Sequence, residues 1–517
     1  MASMDVEKAG PGLAPEGEAL SPNDNLEDRT GPLSTAQEWF KRVEKTLLRY
    51  NVESRGIQRV LPAQRHTIEH LGFTQICMLW VSINLAANNT TLGMLGPTVF
   101  YLPFLDCCLC AVFGMLVGCF PVAYIATFGP RSGHRTMILS RYIMGWWPSK
   151  LIVVLTLIIL LGYSLLDVII AGQILSAVST NGSLSIIVGI VITGVLTWAI
   201  TTFGYSVFHI YERYAWLPQL MANMILAGVA GPKFDLYSNP GAGLDARTMA
   251  GNRLSFFSLC LAAAITYSCA GADYFVYYPE SSPRLRVFLV TVVGLSISFT
   301  AMFVIGIGLG SGIASNQAWN DAYGVSQGAL IREGFRPLGS FGSFCSVLIA
   351  LGLISNLVAP TYAGGIDWQA LGRNFERIPR VVWNTISVVI YTVCAIAGRA
   401  ALAAIFTNFL ALMGYWVCIW IAIVLEEHLI FRKYLGHGWD WDIWNDRHKL
   451  PMGIAALVAF LVGWAGSILC MAQVWYIGPI AAELGEYGGD LGNYIGFAFA
   501  GVVYWPLRWF ELKKFGR

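Results

Sequence analysis

An aspartate inside an apolar run offers the most chemistry in this sequence. Asp167 lies within a stretch of Leu, Ile and Val, and Tyr163 precedes it by four residues, which places both side chains on one face of a helix. A carboxylate at the centre of a membrane helix costs about 2.5–3.5 kcal/mol, so it is expected to serve a function or to be satisfied by a neighbouring helix. Asp167 is therefore the first candidate for a substrate-binding or coupling residue.

A second apolar run, at 71–95, is unusually polar for a membrane helix. It contains Ser82 and Asn84, continues with the sequence NNTT, and ends at Gly96-Pro97. Inside a bilayer every backbone group needs a partner, so such a cluster survives only where it faces protein or a water-filled cavity. The pattern indicates either hydrogen bonding between helices or a discontinuous helix that lines a substrate site.

A third run, at 254–277, places Tyr267 in a stretch of small residues and contains Asp273 near its end. The small residues predict a break in the helix and a close approach to a ligand. Asp273 is predicted to be a capping or gating carboxylate that pairs with a basic residue of a loop.

A fourth run, at 342–363, combines Asn356 with Pro360. A proline inside a helix frees the carbonyl one turn earlier. Freed carbonyls and nearby hydroxyls suit a sodium ion or a hydrogen-bonding solute, and a simple kink is the alternative. Asn356 is a substrate-binding candidate and Pro360 a gating candidate.

The composition requires a membrane around these runs. Of the 517 residues 56% are hydrophobic and only 12% charged, and the mean hydropathy is +0.58. About 20 mostly apolar residues cross the hydrocarbon core. Twelve stretches qualify: 71–95, 104–128, 151–178, 185–202, 215–231, 254–277, 286–309, 342–363, 381–398, 403–425, 451–472 and 493–511. The fold class is therefore an all-α integral membrane protein of about twelve helices.

The distribution of basic residues predicts the orientation. With the N-terminus inside, 27 of the 33 Lys and Arg residues fall on the inner side, as the positive-inside rule requires. The net charge of +2 gives no reason to expect a nucleic-acid partner. Both termini are expected in the cytosol, with the first helix as the targeting signal. The sequon at Asn181 then faces outward and is a glycosylation candidate.

The order of the four polar runs suggests an internal repeat. The first and sixth spans are five apart, and so are the third and eighth, which is the pattern of a transporter built from inverted repeats. Residue identity shows no convincing internal match. The 11 Cys have no paired spacing that suits a zinc site or a disulfide framework.

Several motifs in order give the sequence a family resemblance. From about residue 60 onward it resembles the nucleobase:cation symporter-1 family, in its fungal purine-cytosine permease branch. The motifs are Leu92-Gly93-Met94-Leu95-Gly96-Pro97, Phe128-Gly129-Pro130-Arg131-Ser132-Gly133, Ser140-Arg141-Tyr142, Gly172-Gln173-Ile174-Leu175-Ser176-Ala177, Ala272-Asp273-Tyr274, Asn408, Gly414-Tyr415-Trp416 and Gln473-Val474-Trp475-Tyr476-Ile477-Gly478-Pro479-Ile480.

The resemblance implies a LeuT-like five-plus-five inverted repeat with two extra C-terminal helices. The composition and the apolar spans predict a cytosolic and largely disordered tail at 1–70, a ten-helix core from 71 through 400 to about 425, a cytosolic loop at 426–450, accessory helices at 451–511 and a short tail at 512–517. The resemblance also implies symport of a nucleobase with protons, or with sodium in some bacterial relatives. Substrate would lie between the first, third, sixth and eighth helices.

The resemblance implies site residues in the same four spans that the polar runs single out. Ser82 and Asn84 match its polar first-helix segment. Tyr163 and Tyr267 fall where relatives place an aromatic ring that stacks on the base, and Asn356 matches the first Asn of a pair.

The chain departs from the family pattern at three positions. Leu357 replaces the second amide of that Asn pair, Pro360 lies one position later than usual, and Asp167 replaces an amide. An ionised carboxylate only accepts hydrogen bonds, so Asp167 favours a ligand with two N–H donors or a positive charge. It is also a candidate carrier of the coupling proton, since burial favours the neutral form of an acid.

The sequence therefore predicts a plasma-membrane symporter for a purine, cytosine or similar heterocycle. Such transport needs no covalent chemistry, so we do not expect an enzyme. We expect the proton as coupling ion, with sodium as the weaker alternative, and no metal or organic cofactor. The alternatives are another cargo in the same family, such as a vitamin B6-like, allantoin-like or specialised metabolite, and more remotely a sensor or an intramembrane enzyme. The expected partners are a small heterocycle and the bilayer, and the oligomeric state is not predicted.

Overall fold

The computed structural model describes residues 56–65, 72–179, 183–203 and 205–517. Within these ranges the chain is almost entirely helical, with a single two-stranded hairpin. Most of the predicted tail, residues 1–55 and 66–70, and the predicted glycosylation site Asn181 lie outside the described residues.

The first half of the chain forms helices that account for the first five predicted spans. They are α1 (Phe73–Asn84), α2 (Ala87–Thr98), α3 (Phe104–Ala126), α4 (Phe128–Ser132), α5 (Thr136–Met144), α6 (Pro148–Val178), α7 (Ile186–Phe203) and α8 (Tyr205–Ala230). The first span is divided between α1 and α2, and α8 begins ten residues before the predicted start of the fifth span.

The second half contains the remaining seven spans. Its elements are α9 (Ala246–Ile265), α10 (Arg284–Ser311), α11 (Gln317–Val325), α12 (Gln327–Gly334), α13 (Gly339–Ala370), α14 (Arg373–Glu376), α15 (Arg380–Gly398), α16 (Leu402–Glu426), α17 (Ile454–Cys470), β1 (Ala472–Gln473), β2 (Tyr476–Ile477) and α18 (Gly492–Phe515). The short helices α11 and α12 and the hairpin were not predicted from hydropathy, because none of them is long enough to span a bilayer.

Seven helices of the described chain are long and apolar enough to cross a membrane, and three shorter apolar helices accompany them. The predicted loop at 426–450 begins later than expected. The helix that contains α16 continues as a π-helix, Glu427–Tyr434, before the chain leaves it. Likewise α18 extends through most of the predicted tail at 512–517.

The helix contacts follow the symmetry that an inverted repeat requires. The first span (α1, α2) packs against the seventh span, α10, and the sixth span (α9) packs against the second span, α3. These two contacts are equivalent when each of the first five spans is matched with the span five positions later. In the same way α1 contacts α8 while α9 contacts α16. The third and eighth spans, α6 and α13, pack against each other, as expected for two spans that an inverted repeat matches with one another.

The second part of the first span, α2, lies against α10 with the two backbones in close contact. A Cβ added to Gly306 of α10 would lie 1.9 Å from the carbonyl oxygen of Thr90, and one added to Gly93 would lie 2.5 Å from that of Phe303. Small residues at such crossings let two membrane helices touch along their backbones. The position of α2 against α10 therefore depends on both glycines.

The two ends of the helical bundle are closed differently. At one end, which we call the tail-side end, residues 56–65 lie against the connection between α4 and α5, where the Val60 amide donates to the Gly133 carbonyl at 2.9 Å. Arg59 also pairs with Asp442, after α16. At the other end, the far end, the β1–β2 hairpin and the chain up to α18 cover α9 and α16.

Candidate functional site

The first span breaks at Leu85 and Ala86, between α1 and α2. The break frees carbonyl groups, and buried amides satisfy them. The Asn84 carbonyl accepts a hydrogen bond from the Asn89 amide at 2.9 Å. The Leu85 carbonyl accepts two, from Gln219 at 2.9 Å and Asn223 at 3.1 Å, both on α8. Side-chain amides therefore stabilise the break in the first span, in agreement with the discontinuous helix that the sequence indicated.

The sixth span also changes its helical type partway along. The α-helix α9 ends at Ile265, and a 3₁₀ turn, Thr266–Ala270, follows it. The Tyr163 hydroxyl, from α6, donates to the Ala263 carbonyl at 3.1 Å and lies 2.9 Å from the Thr266 hydroxyl. This contact ties the third span to the point where the sixth span departs from regular helix.

The third and eighth spans meet through a single polar pair. The side-chain amide of Asn356 on α13 donates to Oδ2 of Asp167 on α6 at 2.9 Å. Asp167 is fully buried, and its Oδ1 makes no hydrogen bond with any described residue. Asn88 of α2 approaches the same carboxylate. The helix continues through Pro360 without interruption, so the proline does not break the eighth span.

A cavity of about 60 Å³ opens beside this pair. Its wall comes from the four spans that the sequence singled out, and it contains both apolar and hydrogen-bonding groups. The lining residues are Ile83, Ile159, Leu160, Tyr163, Asp167, Thr266, Tyr267, Cys269, Ala270, Tyr274, Asn356, Ala359, Pro360 and Ala363. Among these described lining residues there is no Lys, Arg or His, and Asp167 is the one carboxyl group.

Aromatic rings enclose the cavity from two sides. The rings of Tyr163 and Tyr267 lie 6.2 Å apart between centroids, and Phe409 packs edge-on against Tyr163 at 6.0 Å. On the other side Trp80 packs against Tyr274 at 4.7 Å and against Tyr267 at 6.3 Å. Ring faces of this kind stack on planar heterocycles, and the carboxylate and amide beside them fix a ligand's polar edge.

The structure brings together Tyr163, Asp167, Tyr267, Asn356 and Pro360 of the predicted site residues. Ser82 and Asn84 are not on the cavity wall: Asn84 is fully buried and turns its amide back to the Trp80 carbonyl at 3.1 Å. The roles predicted for these two residues in substrate binding stay predictions.

Asp273 lies apart from the cavity, at the tail-side end. Its carboxylate accepts hydrogen bonds from the backbone amide and the hydroxyl of Thr136, both at 2.7 Å, and lies 3.6 Å from Arg135. It therefore joins the end of the sixth span to the start of α5 through a basic loop residue. Its predicted gating role is not tested by these contacts.

Sequence reasoning selected neither Thr266 nor Tyr274 as a site residue, although both line the cavity. Trp80 and Phe409 were missed as well. The signal available for the first two was the break in the sixth span, since residues that flank a break inside a membrane face a cavity. No comparable local signal exists for Trp80 or Phe409, because neither lines the cavity and each is placed only by packing against a lining tyrosine of another helix.

The geometry suits binding and movement of a solute rather than covalent chemistry. The broken first and sixth spans, the paired third and eighth spans and the enclosed polar cavity define a secondary transporter of the inverted-repeat class. Within the described ranges no three His, Cys, Asp or Glu side chains are arranged to hold a metal ion.

Comparison with known proteins identifies the family. Residues 69–492 match the family described as permease for cytosine/purines, uracil, thiamine and allantoin, and the chain belongs to it. Its curated relatives include a vitamin B6 transporter of Saccharomyces cerevisiae, 33% identical, with 90% of this chain and 88% of the relative covered. A purine-cytosine permease of Emericella nidulans is also 33% identical, with 96% of both chains covered.

Solved structures agree on the fold. The nucleobase-cation-symport-1 family transporter MHP1, in a closed conformation with bromovinylhydantoin bound, superimposes with a TM-score of 0.68. The alignment covers 90% of this chain and 96% of MHP1, at 13% sequence identity. The predicted LeuT-like membrane fold and the resemblance to purine-cytosine permeases are thus confirmed, and the chain is a membrane transporter whose relatives are permeases rather than enzymes.

Proposed function

We propose that this protein is a proton-coupled symporter that imports a purine nucleobase, cytosine or a closely similar nitrogen heterocycle. The observation that carries the proposal is the Asp167–Asn356 pair on the cavity wall, bordered by Tyr163 and Tyr267. Asn356 offers both a donor and an acceptor, whereas Oδ1 of Asp167 makes no hydrogen bond with a described residue. A planar ring stacked on either tyrosine would present its N–H edge to these groups.

The proton is the coupling ion that fits the contacts of the first span. A sodium site at a helix break needs carbonyl oxygens with lone pairs directed at the ion. Here the Leu85 carbonyl already accepts two amide hydrogen bonds and the Asn84 carbonyl accepts one. The buried carboxylate of Asp167 is the group in the cavity that can bind and release a proton. These contacts support proton coupling over sodium coupling.

The distribution of basic residues supports an orientation in which the tail-side end faces the cytosol and the far end faces outward. Of the 33 Lys and Arg residues 27 then lie on the cytosolic side. We place the protein in the plasma membrane with both termini inside. An importer in this orientation takes up its solute at the far end and releases it at the tail-side end.

Uptake of radiolabelled cytosine and hypoxanthine in cells that lack their own carriers tests the proposal. External pH is varied from 5 to 8 in media with and without sodium. We expect saturable uptake that falls as the external pH rises and is unchanged when potassium replaces sodium. A protein shown to be at the cell surface that accumulates neither base would contradict the nucleobase assignment. Uptake that requires sodium would contradict the coupling assignment.

A vitamin B6-like heterocycle is the second candidate substrate. Two observations favour it: the carboxylate of Asp167, which suits a pyridine nitrogen carrying a proton, and the 33% identity to a vitamin B6 transporter over 90% of the chain. A competition panel separates the two candidates. Inhibition of labelled pyridoxine uptake by unlabelled pyridoxine, but not by adenine, hypoxanthine or cytosine, would assign the site to the vitamin.

A further inference from the structure

A second and larger cavity lies at the far end of the bundle, away from Asp167. Its volume is about 360 Å³, against about 60 Å³ for the central cavity. The wall is formed by the chain just after α2, by α9, by the start of α16, by the β1–β2 hairpin and by the connection from the hairpin to α18. None of its lining residues belongs to the central site.

The lining of this outer cavity determines the charge of what it would bind. Glu486 and Asp490 are both on the wall, and no Lys, Arg or His is. Asp490 is nearly fully buried, and its oxygens accept hydrogen bonds from the Gly492 amide at 2.9 Å and from the Tyr415 hydroxyl. The exposed carboxylate of Glu486 forms no ion pair or hydrogen bond with a described residue. The Glu486 carboxylate therefore disfavours anions and offers one free acceptor to a cation or an N–H donor.

The aromatic residues of the outer cavity favour a planar ligand. Tyr101 and Tyr487 lie with their ring centroids 6.3 Å apart at an interplanar angle of 38°. Tyr101 has a φ of 52°, a left-handed backbone conformation that no other described non-glycine residue adopts. Strained residues of this kind concentrate at ligand clamps and gates. A flat ring can stack on either tyrosine with its edge toward Glu486.

The outer and central cavities lie along the same two helices. Ser255 and Leu259 of α9 line the outer cavity, whereas Thr266, seven residues after Leu259, lines the central one. Seven helical residues span about 10 Å. On α16, Thr407 lines the outer cavity and Phe409 packs against Tyr163 of the central wall. A ligand in the outer cavity would thus lie roughly 10 Å along α9 from the central site.

We propose that the outer cavity is a second binding site, which holds the incoming planar, N–H-bearing or cationic heterocycle before it moves to the Asp167–Asn356 pair. Both sites combine a carboxylate with two tyrosine rings, so they select the same chemical class. This inference rests on the proposed function, because the ligand is the transported heterocycle.

Equilibrium binding to the purified full-length chain tests the second site. The probe is the radiolabelled heterocycle that the wild type accumulates best in the uptake assay. Five proteins are compared: wild type, Glu486→Gln, Tyr487→Ala, Asp167→Asn and Glu483→Gln. The last is the matched control, since Glu483 is an exposed carboxylate three residues away that does not line the cavity. Uptake by each variant is measured in parallel over a range of concentrations.

We expect two bound molecules per wild-type chain, and one at the same concentrations for Glu486→Gln and Tyr487→Ala. Outer-site affinity should fall roughly tenfold, as for loss of a charged hydrogen bond or a stacked ring. The half-saturation concentration for uptake should rise in both variants, whereas Glu483→Gln should match wild type. An Asp167→Asn variant should retain the outer site alone.

One bound molecule per wild-type chain, with uptake indifferent to Glu486 and Tyr487, would overturn the second site and leave the proposed function standing. Absence of uptake of every heterocycle tested, by a wild-type protein at the cell surface, would instead overturn the proposed function, and this inference with it.

Discussion

At the scale of single residues, Asp167 is the group on which the proposed mechanism depends. It is fully buried, it accepts a hydrogen bond from Asn356, and Asn88 also approaches the carboxylate. A carboxylate in this position can accept a hydrogen bond from a ligand or take up a proton. Tyr163 complements it by fixing the 3₁₀ turn of the sixth span.

Replacing Asp167 with Asn tests both roles. The amide keeps the shape and one acceptor but cannot bind the coupling proton, so we expect uptake to lose its dependence on external pH. We also expect the rate at pH 5 to fall roughly 10- to 100-fold, because a hydrogen bond to a charged group contributes about 1.5–3 kcal/mol. Initial uptake rates from pH 5 to 8 provide the measurement.

The matched comparison is Asn356→Ala, which removes the donor to Asp167 and keeps the carboxylate. This variant should have weaker substrate affinity but retain the pH dependence. If Asp167→Asn preserves the wild-type pH profile, the coupling proton is not carried by Asp167.

At the scale of structural elements, the break between α1 and α2 is stabilised from α8. Gln219 and Asn223 are both almost fully buried, and both donate to the Leu85 carbonyl. A Cβ on Gly352 of α13 would lie 2.5 Å from the Gln219 side-chain amide, so Gln219 also contacts the eighth span. These two amides connect the broken helix to the rest of the transport core.

Removing both donors should destabilise the break. In the double variant Gln219→Leu/Asn223→Leu the Leu85 carbonyl is left without these donors, which costs about 1–3 kcal/mol. We expect a lower thermal midpoint and reduced maximal uptake, with each single variant less affected because one donor remains. Met224→Ala, at a largely exposed position of the same helix, is the control. A double variant as stable and as active as wild type would show that the amides are dispensable.

The connection before α18 has its own pH dependence. Burial raises the pKa of Asp490 to about 7, although its hydrogen bonds from Tyr415 and the Gly492 amide act in the opposite direction. Since the folded state favours the protonated acid, this carboxyl group contributes least to stability above pH 7. Its contribution is present near pH 4 and is lost as the pH rises from about 4 to 7.

Asp490→Asn should therefore flatten part of the pH dependence of stability. We expect the thermal midpoint of wild type to decrease relative to that of the variant between pH 4 and 7, and the difference to stay constant above pH 7. Thermal unfolding of the purified protein at several pH values measures this, with the exposed carboxylate variant Asp321→Asn as control. Parallel pH profiles for wild type and Asp490→Asn would contradict the shift.

At the scale of the whole molecule, a buried ionic network joins the accessory helices to the transport core. Arg508 of α18 donates to both oxygens of Glu427, at 3.0 and 3.2 Å, and to Glu511 at 2.8 Å. Tyr504 and Arg432 also donate to Glu427, at 2.8 Å each. Glu511 in turn accepts the Ala455 amide at the start of α17. One network thus includes the end of α16 and both C-terminal helices.

Breaking one side of this network should be costly. Arg508→Met leaves the buried carboxylate of Glu427 without its main partner, and we expect a loss of about 3–5 kcal/mol in the free energy of unfolding. The double variant Glu427→Gln/Arg508→Met should recover part of this loss, because the uncompensated charge is removed. Thermal stability and surface expression report the effect, and Lys513→Met on the exposed side of α18 is the control. Equal stability of the single and double variants would argue against a charge effect.

Much of the whole-molecule architecture could be predicted from local sequence. Membrane spans are set by the hydropathy of about 20 consecutive residues, and each of the twelve predicted stretches lies on helical structure. The breaks in the first and sixth spans were visible for the same reason, since polar and small residues interrupt otherwise apolar runs. Asp167 was evident because a carboxylate is costly in such a run wherever the chain folds.

Only the tertiary structure decided which of these residues meet. Asn356 donates to Asp167 across 189 positions of sequence. Asn84 turns back toward Trp80 instead of entering the cavity, and Thr266, Tyr274 and the outer cavity around Glu486 emerge from the packing of distant helices. The periodicity of a helix determines which of its residues share a face, but the partner of that face depends on the packing of the whole bundle.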